Sequence, residues 1–185
     1  MQQPMNYGAQ PQAKSGSSVV VIIIVVAVVV VFAIIGGIGV MAAMGIYGTR
    51  KYISAAKEAE GKNGVGMIAR NALAAADREG DDGKHALPPT AQPVPASLSD
   101  VSGRKYMSTS SDWSSPGWKE LKFSMTMPQY FQYQWVRTSA TEGVARAVSD
   151  LDGDGRPDVT FELPVTCTAT PDLTCQVAPT IKETR

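Results

Sequence analysis

The chain has 185 residues, with 17 Lys and Arg against 17 Asp and Glu, and 44% of its residues are hydrophobic. That length holds one ordinary domain beside a shorter element and excludes a second large domain. Apart from Lys14 every charge lies after residue 49, where the remaining 16 basic residues meet all 17 acidic ones, so there is no basic surplus for nucleic acid.

Residues 1–18, rich in Gln, Pro, Gly, Ser and Asn, have too little apolar content for a core and are expected to be disordered. Residues 19–47, Val19 to Tyr47, carry no charge and are almost wholly Val, Ile, Ala, Gly and Met. They exceed the roughly 20 apolar residues that span a bilayer and predict a transmembrane helix. The run is about twice the ~7–15-residue core of a secretory signal, so an anchor is expected and not a removed leader. Gly36, Gly37, Gly39, Ala42, Ala43 and Gly45 give its second half several small-x-x-x-small spacings, a face another helix can approach closely. Small residues are also simply common in membrane helices.

Residues 48–80 predict a helix continuing from the membrane. Ile53, Ala56, Val65, Ile68, Ala72 and Ala76 recur near one face, with Lys57, Glu58, Lys62 and Arg70 toward water. Gly61, Gly64 and Gly66 interrupt it, marking either a kink or a close approach of a sheet. Glu79-Gly-Asp-Asp-Gly-Lys ends the helix, and residues 81–117 read as a Pro-rich extended connector with no element of its own. Residues 118–185 read as an antiparallel sheet. Its strand signals are the alternation at Leu121, Phe123 and Met125, the run Tyr130–Val136, and the pair Gly143–Ser149 and Val159–Val165. Helix first and strands afterwards is an α+β layout, with the helix covering one face of the sheet.

Between the last pair lies Asp150-x-Asp152-x-Asp154-Gly-x-x-Asp158. Carboxylates at alternate positions of a tight loop converge on one point, which suits Ca2+; Asp150, Asp152, Asp154, the Arg156 carbonyl and Asp158 are its candidate ligands. An EF-hand closes with Glu at its twelfth position, where Phe161 stands here. The site is therefore expected to be a structural Ca2+ turn between strands. The alternative is a solvated hairpin turn, since Asp-Gly pairs also favour turns. Cys167 and Cys175 suit a small disulfide loop containing Pro171, the alternative being two buried thiols. A zinc site is not expected with a single histidine, His85, and no Cys-x-x-Cys. Trp113, Trp118, Tyr130, Phe131, Tyr133 and Trp135 are expected to be mainly core, with two or three exposed as a binding platform. Ser110, Ser111, Ser114 and Ser115 have neither a partner histidine nor a nucleophile elbow, and no Walker or dinucleotide motif occurs. No catalytic residue is assigned and no enzyme is expected.

Topology is contested by two signals. Arg50, Lys51, Lys57 and Lys62 follow the apolar helix, against Lys14 before it, which favours a cytoplasmic C-terminal domain; a disulfide favours an oxidising compartment.

An apolar helix running into an alanine-rich amphipathic one, then a short sheet and a C-terminal cysteine pair, resembles type IV pilins and pseudopilins. Ala33-Ile-Ile-Gly, and the stretch from Ala42-Ala-Met-Gly-Ile-Tyr to Glu60-Gly-Lys-Asn, look like the pilin helix as it leaves the membrane. Trp118-Lys-Glu-Leu-Lys-Phe-Ser-Met with Pro128-Gln-Tyr-Phe-Gln-Tyr is similar to the central hairpin of the myxobacterial fimbrial type. Asp150-Leu-Asp-Gly-Asp-Gly recurs in that group between the last strands. Two departures stand out. Gap-free matching puts Val25 and Val26 at the prepilin cleavage junction and Val30 where a glutamate pairs with a neighbour's amino terminus. Pro88 and Glu120 stand where relatives often carry cysteines. The resemblance implies a single-pass inner-membrane protein with a periplasmic or cell-surface domain. Its role would be that of a minor or accessory structural subunit, with other pilin or pseudopilin subunits as partners through the Gly/Ala-rich helix. The rival expectation is a tethered binding or sensing module that never polymerises.

Overall fold

The computed structural model describes Gly8 and residues 17–78, 85–168 and 173–185. The N-terminal segment expected to be disordered lies outside them except for Gly8 and residues 17 and 18, which already belong to a helix. The stretch 79–84 taken to end the helix, and 169–172 between the cysteines, also lie outside. The chain divides into two compact units, Met1–Lys51 and Tyr52–Arg185.

Helix α1 runs from Ser17 to Ala76, unbroken at Gly61, Gly64 and Gly66. In the first unit its large apolar residues from Val19 to Ile46 are all exposed. With no Asp, Glu, Lys or Arg in that stretch, it is long and apolar enough to cross a membrane.

In the second unit one face of α1 is buried at Gly61, Gly64, Val65, Ile68, Ala69, Ala72, Ala75 and Ala76, a helical spacing that makes one continuous stripe. Ile53 and Ala56, expected on this face, are exposed: the stripe begins only at Gly61. The glycines mark close approach. A Cβ on Gly61 would lie 2.7 Å from the Phe131 ring, and one on Gly64 would lie 2.2 Å from Tyr133 Cε1. Only hydrogen at these positions lets the sheet's aromatics lie directly on the helix backbone.

The sheet is antiparallel, in the order β1 (Ala91–Val94), β2 (Gln132–Arg137), β3 (Glu142–Ser149), β4 (Val159–Thr168) and β5 (Thr174–Val177), with β6 (Lys182–Thr184) also on β4. Strand β4 pairs along one edge with β3, and its other edge is shared: Val165–Thr168 pair with β5 and Thr160–Glu162 with β6. Tyr133 and Trp135, Ala145 and Ala147, and Phe161, Leu163 and Val165 are buried at alternate positions of β2, β3 and β4. In register, Trp135 faces Ala145, which faces Leu163, while Tyr133 faces Ala147, which faces Phe161. Small residues on the middle strand make room for large ones on either side, as close packing demands. The fold is α+β, a long helix packed on a small antiparallel sheet.

Two expected features differ. Leu121–Met125 forms no strand. Ser115-Pro116 opens a short helix, α2 (Pro116–Leu121), with Pro at its first turn, and Lys122 closes it in the left-handed conformation. Leu121 and Phe123 are buried while Lys122 and Ser124 are exposed, so the alternation reports burial without strand pairing. The connector expected over 81–117 holds β1 and a 3-10 turn at Leu98–Val101. Pro93 lies inside β1, which is tolerated because β1 is an edge strand.

Candidate functional site

The nine residues Asp150–Asp158 join β3 to β4. Asp150 is buried and accepts from the Ser102 hydroxyl at 2.6 Å, the Gly153 amide at 2.7 Å and the Gly155 amide at 2.9 Å. These bonds, the Ser102 hydroxyl foremost, hold its carboxyl below the usual carboxylate range. Asp158 Oδ2 accepts from the Leu151 and Asp152 amides, and Asp152 Oδ1 accepts from the Asp154 amide at 3.0 Å. Asp154 Oδ1 accepts from the Arg156 amide at 2.8 Å. Each acid thus turns the backbone on itself. Gly153 and Gly155 supply the positive φ angles, 82° and 86°, that the turn requires.

The loop is also clamped from outside. Gly103 donates its amide to the Asp150 carbonyl at 2.8 Å, and a Cβ on Gly103 would meet Gly153 Cα at 3.4 Å. The sequence held no sign of this Ser102–Gly103 clamp, because the contact spans 48 residues and involves unremarkable residue types.

Of the expected ligands, Asp150, Asp152 and Asp158 converge, with one carboxylate oxygen from each within 4.8 Å of the others. Ligands at about 2.3–2.6 Å on opposite sides of one ion stand about 5 Å apart, so these three carboxylates could hold a single metal ion of that size. Asp154 and Arg156 are exposed, and Asp154 stands outside this convergent group.

Cys167 and Cys175 face each other across β4 and β5 and form a disulfide. His85 is exposed, and its Nδ1–H donates to the Ala76 carbonyl at the end of α1. The six aromatics are mainly core, as expected, but two or three exposed ones that could form a platform are not found. Trp113, Trp118, Phe131, Tyr133 and Trp135 are all buried: Trp113 and Trp118 pack edge-on, Phe131 and Tyr133 lie over the glycines of α1, and Trp135 lies over Gly143; Tyr130 alone of the six is half-buried. Lys57 and Lys105 each place an ammonium within 5 Å of the Tyr130 ring centre.

Sequence reasoning missed Glu60. Its Oε1 accepts the Tyr130 amide at 2.8 Å and the Tyr133 hydroxyl at 3.4 Å, tying the helix to the start of β2. Burial pushes its carboxyl above the usual range, against the pull of those hydrogen bonds and of Lys105. A carboxyl whose folded pKa exceeds its unfolded value favours the folded state when protonated. That advantage is lost as pH rises from about 4.5 through the folded value. Glu60→Gln, which keeps an acceptor and removes the charge, is expected to match the parent's melting temperature at pH 4 and exceed it at pH 7.5. A constant difference across that range would remove ionisation as the cause.

With α1 and the clamped loop defined, the chain can be set beside known proteins: no protein-family model, curated protein or solved structure matches it. The molecule is an α+β protein whose one long helix carries an apolar stretch fit for a membrane.

Proposed function

We propose that this chain is a membrane-anchored structural subunit of the pilin or pseudopilin kind, assembling with copies of itself or related subunits through α1. One observation carries the reading. The face of α1 away from the sheet is exposed at Tyr52, Ala56, Ala59, Asn63, Met67, Arg70 and Ala74. Solvent-facing helix surfaces are normally dominated by charged and polar residues, yet Arg70 is the sole charge in this stripe. Small and apolar residues at that spacing suit close approach of a second helix. The apolar stretch from Val19 to Tyr47 anchors the subunit in the inner membrane, and the disulfide favours an exported domain.

Both native cysteines are paired, so one introduced cysteine is the only free thiol. Membranes holding the Met67→Cys protein are expected to yield a cross-linked dimer on mild oxidation, and the Ala56→Cys plus Met67→Cys protein a ladder. Adding Ala59→Glu is expected to suppress both. Monomer throughout would favour the rival, a tethered binding or sensing module that never polymerises. A reporter fused after Arg185 and active in the cytoplasm would overturn the exported placement.

Calcium belongs to the same reading, as a structural ion that Asp150, Asp152 and Asp158 would hold, neutralising carboxylates that otherwise repel. Millimolar Ca2+ is expected to raise the melting temperature of the full chain in detergent. Asp152→Ala, which changes an exposed side chain, is expected to abolish the rise, whereas a wild-type protein indifferent to Ca2+ would leave the loop as a self-bonded turn.

A further inference from the structure

Between the Ser108–Ser110 segment, α2 and the Phe123–Thr126 segment lies an open groove of about 660 Å³, within the range of about 300–1,000 Å³ typical of small-molecule sites. Its charge is one-sided. Among the described residues Lys119 and Lys122 line it, and no carboxylate does. The adjacent acid, Asp112, is turned to other work: its Oδ2 accepts from the Thr109 amide at 2.7 Å, the Thr109 hydroxyl at 3.0 Å and the Tyr106 hydroxyl at 3.1 Å. Ser108, Thr109, Ser110, Ser124 and Thr126 complete the polar lining with hydroxyls, each able to donate and accept.

Three features set this groove apart from an ordinary dip in the surface. Trp113, one of its walls, is 5% exposed, and its indole N–H is buried with no acceptor among the described residues. Buried donors without a partner are rare in folded proteins. The wall is also rigid, since Trp113, Trp118 and Phe123 pack with ring centres 4.9–5.5 Å apart. Lys122, moreover, occupies the left-handed region at φ 51° and ψ 40°, the helix-ending position where glycine is usual. A side chain kept there at a conformational cost, on the rim of a groove, is the pattern of strain held at functional sites.

We propose that this groove binds an acidic sugar unit, a hydroxylated ring carrying a carboxylate or phosphate. The ammonium groups of Lys119 and Lys122 take the anion and the Ser and Thr hydroxyls meet the ring hydroxyls. This site does not depend on assembly through α1, since it lies wholly on the Ser108–Thr126 side of the sheet domain.

The test is isothermal titration of the full chain in neutral detergent micelles with glucuronate, glucose 6-phosphate and neutral glucose. An oligosaccharide of alternating uronic acid distinguishes a polymer source from a free sugar acid. Saturable millimolar binding of the acidic sugars is expected, with glucose at least tenfold weaker. Lys119→Ala is expected to weaken binding at least fivefold. Lys122→Gly is more telling: it removes the ammonium and relieves the left-handed backbone together, so affinity falls while melting temperature rises. Because both lysines are exposed, these variants keep the fold. Tighter binding of the oligosaccharide assigns the source to a polymer, and equal binding assigns it to the free sugar. The proposal is overturned by absence of saturable binding, by glucose binding as well as the acids, or by affinity unchanged in both lysine variants.

Discussion

Gly64→Ala is expected to destabilise the sheet domain by about 2 kcal/mol, while Gly66→Ala, two residues along the same helix, stabilises it by about 1 kcal/mol. By intrinsic propensity both changes help equally, since Ala is favoured over Gly inside a helix by about 0.8–1 kcal/mol. Their environments decide the sign. A Cβ on Gly66 meets only the end of the Arg70 side chain, 3.5 Å away, which is ordinary contact with a flexible group. A Cβ on Gly64 would lie 2.2 Å from Tyr133 Cε1 and 2.9 Å from its hydroxyl oxygen. The ring has no room to yield: Tyr133 is fully buried, flanked by Phe123 and Phe131, and its hydroxyl donates to the Glu60 carbonyl at 3.3 Å. Overpacking of a fixed site costs about 1–3 kcal/mol and exceeds the propensity gain. Urea unfolding followed by tryptophan fluorescence measures both variants. A stabilised Gly64→Ala would mean that the sheet does not lie on the helix backbone there.

This contrast bears on what the residues alone could reveal. The three glycines looked alike in the sequence, and both a kink and a close approach were open. Choosing between them requires knowing that Phe131 and Phe161 lie over Gly61 and Tyr133 over Gly64, contacts between residues some 70 to 100 positions apart. Elements whose residues make their own partners were legible. The uninterrupted Val19–Tyr47 run, the alternation in β2 and the pair β3 and β4 around the Asp/Gly turn all follow from local pattern. What was illegible depended on distant partners. Strand β1, with two prolines in and beside it, forms only because β2 supplies its ladder. The alternation at Leu121–Met125 looked like a strand, whereas its burial comes from the aromatic cluster of Trp113, Trp118 and Phe123. In the candidate site, the carboxylate spacing was visible. The clamp by Ser102 and Gly103 was not, nor was the separation of Asp154 from the convergent three.

The assembly reading and the packing of the domain meet at α1. Its inner face is committed to the sheet from Gly61 onward, and the sheet supplies no cover for Tyr52, Ile53, Ala56 or Ala59. An apolar helix surface left bare just beyond the membrane stretch is costly for a solitary protein and useful for one that packs against neighbours. On the inner face Gly61 and Gly64 admit the aromatics of the sheet; on the proposed assembly, Ala56, Ala59 and Ala74 would keep the outer face open to another helix.

The largest loss is expected from Trp135→Ala, about 4 kcal/mol, toward the upper part of the range for removing a buried aromatic. Trp135 is fully buried, and its indole N–H donates to the Pro88 carbonyl at 3.0 Å. Its cross-strand neighbours are Ala91 on β1 and Ala145 on β3, and its ring lies over Gly143. Residues this small cannot swing in to fill the space, so the cavity persists and its cost adds to the lost burial. The Pro88 carbonyl also loses its donor. Trp135→Phe, which leaves part of the ring in place, is expected to cost roughly half as much. Coupling with Gly143 gives the sharper check. A Cβ on Gly143 would lie 2.4 Å from Trp135 Cζ2, so Gly143→Ala alone is expected to destabilise by about 1–3 kcal/mol. With Trp135 already cut to alanine the same methyl enters the vacated space, and Gly143→Ala becomes neutral or stabilising. The double-mutant cycle should therefore show a coupling above about 1 kcal/mol, as contacting residues can. Additive effects would mean that the indole does not lie over Gly143.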